Sequence, residues 1–334
     1  MALRLLTNLP DLSQADNAKD LSITSLQSPS KIAEWIALLK AMKQHDLVLI
    51  NCAAPELIKV CFARWLLLGR CAQIVSLDTV LPIPKTNTLK QRLKLSVVRW
   101  LFKQPKLFIE YFRRTEGYTK HYGIPDEKFS YIPFKVNGLE MIQQIESTDQ
   151  GYIFCGGNTR RDFNSLIDAS KLIDYPVRIV TMGDGEITKH GSALSTNNLP
   201  KNVEIVRHDG ERKSFLEHIA GASLVVLPVL KGNISATGIS VYLSSMALGK
   251  CVIISWGPAV DDVVPTNAAI TVPPEDIAAL TSAIKTTLDD HDLREKTAAA
   301  GKAYALSLGG EENLYLNVLN QLKNLNSAKA EWLH

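Results

Sequence analysis

Two loops bring together the residue types that bind a multiply charged anion. The first reads Cys155-Gly156-Gly157-Asn158-Thr159-Arg160-Arg161-Asp162. Gly156 and Gly157 let a backbone approach a ligand closely, and Arg160 and Arg161 beyond them can neutralise a diphosphate through forked hydrogen bonds. The same residues also fit a plain strand-to-helix turn, with Asp162 as the helix N-cap and surface arginines. The second loop runs from Lys231 to Ser240, and Thr237, Gly238, Ile239 and Ser240 open a helical pattern. Backbone N–H groups at a helix start, beside the Thr237 and Ser240 hydroxyls, make a site suited to a diphosphate. Its plainer reading is that Ser235 or Thr237 only caps the helix. Two further turns, with Gly183 and Asp184 in one and His208 in the other, can wall a nucleoside or serve as turns alone.

The elements that must position these loops alternate along the chain. Short apolar runs at Leu3–Leu6, Leu21–Ser25, Leu47–Asn51, Ala72–Leu77, Leu107–Ile109 and Phe129–Ile132 read as strands, with helical patterns at Ser30–Gln44, Pro55–Leu68 and Asn87–Phe102 between them. The second half repeats the theme. Tyr152–Cys155, Val177–Thr181, Val203–Val206, Ser223–Pro228, Cys251–Ser255 and Ala269–Val272 read as strands, and Asp162–Leu172, Arg212–Ala220, Gly238–Leu248 and Pro274–Leu288 as helices. Strands separated by helices pair in parallel through right-handed crossovers. The polar stretch ESTDQG divides the halves, so two Rossmann-like α/β domains are expected over residues 1–148 and 149–334, with sheets facing across a cleft. Ligands of such sheets bind beyond the carboxyl ends of the strands. Both anion loops follow expected strands there.

Charge is uneven. Residues 1–149 carry 20 basic and 14 acidic groups, and the remainder 17 and 20. Between Lys59 and Lys106 ten cations face one acid, Asp78. Within that stretch Asn87–Lys103 places Leu89, Leu93, Val97, Trp100 and Leu101 near one helical face, with Lys90, Arg92, Lys94, Arg99 and Lys103 over the rest. That pattern suits a helix lying in the interface of an anionic membrane, with Trp100 near the headgroups. The alternative is a helix packed on the core with solvated cations outside. No nucleic-acid-binding module accompanies the charge, so nucleic acid is not an expected partner. No apolar run reaches the roughly 20 residues of a membrane span. The first residues read as a strand rather than a signal peptide, so the expected location is the cytoplasm, peripherally on the inner face of the membrane. The five cysteines have no metal-ligand spacing and read as reduced thiols, and no Asp-x-Asp pair or histidine cluster suggests a metal.

The runs GGNTRRDFNSLIDA, TMGDGE, FLEHIAGASLVVLPV, GISVYLSSMALGKCVI and VPPEDIAALTSAI, in this order, resemble the C-terminal domain of GT-B glycosyltransferases, in particular the bacterial group 1 enzymes with an E-x7-E signature. YTKHYGIPDEKFSYIPF is similar to the end of that family's N-terminal domain. The resemblance implies a nucleotide-sugar donor held by the second domain as a substrate, with no cofactor. It implies an acceptor held mainly by the first domain, and a terminal helix over Gly310–His334 packing back across the cleft. Ala236 and Ser244 stand where the family has its two glutamates, Ser244 on the nucleoside side, and the family's glycine-rich loop after the first strand is replaced by Asn8-Leu9-Pro10-Asp11. With an anionic membrane face, the expected acceptor is a lipid-linked or other membrane-associated glycan, in polysaccharide or glycoconjugate synthesis. Asp78, at a strand end among cations that should keep it ionised, is the expected base if configuration inverts; if it is retained, Asp78 orients the acceptor. A non-catalytic homologue and a nucleotide-sugar epimerase are the alternatives.

Overall fold

The computed structural model describes residues 3–14, 18, 21–27 and 29–331. The chain divides into two compact units, one of residues 1–133 with 314–334 and one of residues 134–313.

The first unit is built on six parallel strands, β1 Leu3–Thr7, β2 Leu21–Ser25, β3 Leu47–Asn51, β4 Gln73–Leu77, β5 Leu107–Glu110 and β6 Phe129–Tyr131, in the order β2-β1-β3-β4-β5-β6. Helices α1 Ile32–Gln44, α2 Ala54–Leu66, α3 Leu89–Leu101 and α4 Glu116–Tyr122 connect them. Near-continuous apolar strands such as Leu47–Ile50 are buried along their length, as parallel sheets require. Each such leucine or valine contributes roughly 1.5–3 kcal/mol by leaving water. Thr88 caps α3 by accepting the Gln91 N–H at 3.2 Å, and Gln91 returns a bond to Thr88 N.

The second unit starts with α5 Leu139–Gln143 and carries β7 Ile153–Gly156, α6 Phe163–Ser170, β8 Val177–Thr181, α7 Asp184–Lys189, β9 Val203–Arg207, α8 Arg212–Ala220, β10 Leu224–Leu227, α9 Ile239–Ala247, β11 Val252–Ser255, β12 Ile270–Val272, α10 Ile277–Asp289 and α11 His291–Leu308. Its parallel sheet has the order β12-β11-β10-β7-β8-β9. The last helix, α12 Glu311–Glu331, clusters with the first unit from Leu314 on. Trp332–His334, part of the expected terminal helix, lie outside the described residues.

Residues 134–148 cluster with the second unit, not the first, as the expected break at 148 would have it. Hydrogen bonds hold them there. Val136 N–H donates to Gly309 O at 2.9 Å, Asn137 Nδ2 to Ser240 Oγ at 2.8 Å, and Thr148 N–H to Ala220 O at 2.9 Å. The buried Lys250 ammonium also reaches Thr148 O at 2.6 Å. A polar stretch marks a domain break only when its backbone groups are left to water, and these are not.

Candidate functional site

In the second sheet the chain starts at β7, runs outward through β8 and β9, then returns to β10 on the other side. Strand order therefore reverses between β7 and β10, and the loops after these two strands part around a crevice. These are the two loops rich in glycine, arginine and hydroxyls. They are bonded to one another: Leu230 N–H donates to Arg160 O and Asp162 N–H to Pro228 O, each at 3.0 Å.

The two arginines are neighbours in sequence and differ in orientation. Arg160 has φ 47°, in the left-handed region that costs a residue with a Cβ about 1–2 kcal/mol. Its Nη2 donates to Lys231 O at 3.1 Å, so it latches the β7 loop to the β10 loop. Arg161 turns inward and is only 2% exposed. Its Nε donates to Gly156 O at 2.8 Å and Nη1 to Thr159 O at 3.4 Å; both acceptors are neutral carbonyls. Burial lowers its pKa, yet a guanidinium stays charged. The site thus holds a desolvated cation balanced by no carboxylate among its hydrogen-bond partners.

Two glycines make room for that cation. A Cβ on Gly157 would lie 3.0 Å from Arg161 Nη2, and one on Gly238 3.1 Å from Nη1. Both glycines have positive φ, 99° and 89°. Gly238 is also the N-cap of α9, and no side chain caps that helix. The Thr237 hydroxyl instead accepts from Asn233 Nδ2 at 2.5 Å, and Ser235 is buried in the same loop. Neither is the cap that the plainer reading assigned. The amino end of α9 therefore has N–H groups free of a side-chain cap, next to a buried guanidinium. Asp162 does act as the cap of α6, accepting the Ser165 N–H at 3.1 Å.

Beside them is a cavity of about 280 Å³, lined by Gly157, Asn158, His208, Ser240 and Ser244 of the expected residues. Met182 and Gly210, from the two turns expected to wall a nucleoside, also line it, and Asn137, Arg212 and Phe215 join them without having been anticipated. His208 stacks on Phe215 with ring centroids 5.2 Å apart, and its Nδ1 accepts the Gly210 N–H at 3.0 Å. Burial lowers the His208 pKa and favours the neutral ring. Gly183 and Asp184 do not line the cavity; Asp184 is exposed and ion-paired with Arg207. Thr237 faces a smaller hollow of about 60 Å³ beside Trp256. No signal local to Asn137 marked it, because it reaches Ser240 across 103 residues.

Asp78 ends β4 in the first unit, partly buried, with φ 49° and its N–H on Ile109 O at 2.8 Å. Its pKa is pushed up to about 6 by burial alone. The expectation that the sequence cations set its ionisation is corrected: burial is the cause of its shift, and none of those cations offsets it. Glu110, at the end of β5, is 1% exposed, and burial followed by the Asp78 charge raises its pKa well above the usual value. Its Oε1 accepts the Thr79 N–H at 3.4 Å and its Oε2 has no partner. Asp46, just before β3 in the same unit, is ion-paired with Arg4 at 2.9 Å. The strand-order reversal of this sheet lies at β1 and β3, where Asn8 bonds both N–H and C=O of Asn51 and closes the gap.

On α3, Leu89, Leu93, Val97 and Trp100 are 74%, 60%, 55% and 42% exposed. Leu101, expected with them, is buried with Leu95 on the opposite side. The rings of Trp35, Phe62, Trp65 and Trp100 form a chain across α1, α2 and α3 with centroids 6.1, 5.4 and 5.5 Å apart. Lys90, Arg92, Lys94, Arg99 and Lys103 are exposed around this stripe. No helix of the described residues is long and apolar enough to cross a membrane. Among the described residues no three His, Cys, Asp or Glu side chains stand close enough to hold a metal ion.

Residues 150–290 match the family model described as glycosyl transferases group 1. No curated protein matches the sequence. Among solved structures, sucrose-phosphate synthase from Thermosynechococcus elongatus is similar with a TM-score of 0.71 at 16% identity, over 98% of this chain and 100% of that one. HepE from Anabaena in complex with UDP follows at 0.68 and 14%, over 98% and 100%. A glycosyltransferase from Rickettsia africae reaches 0.64 and 15%, over 96% and 89%. At these identities the structural likeness establishes the fold, and the family match adds the activity. The chain is a glycosyltransferase of the GT-B fold, with a group 1 glycosyl transferase domain at residues 150–290.

Proposed function

We propose that this glycosyltransferase moves a sugar from a nucleoside-diphosphate donor to a membrane-associated acceptor, such as a lipid-linked glycan, in polysaccharide or glycoconjugate synthesis. The observation that carries the donor side is Arg161, buried without a carboxylate partner against the uncapped amino end of α9. A buried charge that the protein leaves unbalanced is balanced by its ligand. The diphosphate accepts from Arg161 and from the first N–H groups of α9, and both donors stabilise its charge as it leaves the sugar. Arg160 keeps the two loops together. Met182, His208 and Phe215 offer an apolar and aromatic wall to the base, with Ser244 toward the ribose. HepE has been solved with UDP and with UDP-glucose, which supports a uridine donor for this chain.

Asp78 serves as base for the acceptor hydroxyl, or orients it if configuration is retained. With a pKa of about 6 it is mostly ionised at pH 7 and close enough to the working pH to exchange a proton. The exposed apolar stripe of α3 inside a field of cations supports seating on an anionic membrane. The test is thermal stabilisation by UDP, GDP and ADP, together with nucleotide release from the matching sugar donor. Wild type should be stabilised by one nucleotide, UDP first, and Arg161→Met should not. Equal stabilisation of both proteins would remove Arg161 from the site.

A further inference from the structure

The first unit holds a second cavity, larger than the donor-side one and different in chemistry. About 490 Å³ open between the amino ends of α2 and α3 and the loop that follows β4. That is within the roughly 300–1,000 Å³ of small-ligand sites. Ile58 of α2, Val80 and Pro82 of the loop, Leu95 and Val98 of α3 and Tyr122 of α4 form its walls. Its polar atoms are few and mostly engaged. The Tyr122 hydroxyl donates to Pro82 O at 2.7 Å, and Gln91 is bonded to Thr88 in the cap of α3. What remains are two ammonium groups, Lys85 and Lys94.

A groove with apolar walls and two cations fits a ligand with a hydrocarbon chain and an anionic head. The surroundings say where such a ligand comes from. Val80 on the rim is exposed, as is Ile83 in the same loop, and the stripe of Leu89, Leu93, Val97 and Trp100 lies on the same helix that supplies Leu95 and Val98. Lys59 to Lys106 carry ten cations and one acid, a poor surface for a basic or neutral partner and a good one for lipid phosphates. The groove opens at the carboxyl edge of the sheet: Ala53 follows β3, and Val80 stands two residues after Asp78.

We propose that the α2–α3 groove binds the hydrocarbon chain of a membrane lipid whose phosphate is met by Lys85 and Lys94. Resting on the proposal of a membrane-associated acceptor, this makes the groove the seat of the acceptor's lipid anchor, on the edge where Asp78 stands. Seating the chain inside the protein lowers the cost of drawing the acceptor's first polar groups out of the interface.

The experiment uses the full chain with dodecyl phosphate below its micelle concentration, inorganic phosphate, and vesicles of phosphatidylglycerol or phosphatidylcholine. Dodecyl phosphate should raise the melting temperature and inorganic phosphate should not. Val98→Trp and Ala54→Leu fill the groove from its two helices, and each should weaken dodecyl phosphate binding by roughly tenfold, the value of excluding a few methylenes. Both should keep vesicle sedimentation and the UDP response, which also verifies that they fold. If both folded variants bind dodecyl phosphate like wild type, the groove proposal is overturned while the membrane reading stands. If wild type binds dodecyl phosphate and ignores both kinds of vesicle, the membrane reading fails and the groove stands. A dimer that dissociates on Val98→Trp, with no dodecyl phosphate binding, would assign the groove to a second copy and overturn the proposal.

Discussion

Gly238 and Arg161 are in contact: a Cβ built on Gly238 would lie 3.1 Å from Nη1 of the buried guanidinium. Gly238 also has φ 89°, where a Cβ is strained by about 1–2 kcal/mol. Gly238→Ala is therefore expected to lower stability by that amount and to displace Arg161 from the amino end of α9. Titration calorimetry with UDP should find affinity reduced by at least about tenfold, more than a surface alanine would cause. Unchanged UDP affinity would mean that the contact does not order the site.

Arg161→Met separates stability from binding. The substitution removes a desolvated charge and keeps a chain of similar length. It also leaves the Gly156 carbonyl without the Nε donor, a loss of about 1 kcal/mol. The two effects oppose each other, so urea denaturation without ligand should find stability equal to or above wild type within about 1 kcal/mol. Loss of several kcal/mol would make Arg161 a structural residue.

Glu110 should give stability a pH dependence with a definite sign. Burial raises its pKa in the folded state, so the folded protein binds this proton more tightly than the unfolded chain. Its contribution is fully present below the ordinary glutamate value of about 4.5 and is lost as pH rises through the folded pKa. Asp78 acts in the same direction between its ordinary value and about 6. Glu110→Gln keeps an oxygen for the Thr79 N–H and cannot ionise. Its melting temperature should exceed that of wild type at pH 8 and match it near pH 4. A gain that persists at pH 4 would show that the carboxyl is not what titrates.

The two sides of α3 should answer differently to truncation. Leu93→Ser with Val97→Ser removes exposed apolar groups, so stability should change by no more than about 0.5 kcal/mol per site while sedimentation with phosphatidylglycerol vesicles falls. Leu95→Ala leaves a cavity at a buried position and should cost about 2–5 kcal/mol, read by urea denaturation. If the double serine variant sediments like wild type, the stripe has another role.

The alternation of apolar runs and helical periods was enough to read all twelve strands of the described residues, several to the residue, such as Val177–Thr181 and Leu47–Asn51. Burial on both faces demands continuous apolar strands, and a local pattern records that demand. Helix signals were as direct for Arg212–Ala220 and for the Asp162 cap. The short helices α4, α5 and α7, of 7, 5 and 6 residues, went unread because fewer than two turns leave no period to see. The 18-residue helix α11 also went unread, because its run of alanines among charged residues shows no marked apolar stripe.

Of the candidate site, the sequence determined which two loops carry it, because loops that follow strands of a parallel sheet end up at one edge. Tertiary structure decided the rest. Arg160 and Arg161 are adjacent in the chain, yet a left-handed turn at Arg160 sends one guanidinium to Lys231 O and buries the other. Asp78 lies among ten cations in sequence and is governed by desolvation, since charges act through distance and dielectric rather than chain separation. Asn137 reaches Ser240 and residues 134–148 join the second unit through hydrogen bonds that span more than 70 residues. Composition and period are properties of neighbours along the chain, while a binding site is a property of neighbours in space, and the strand order that relates the two is set only when the sheet closes.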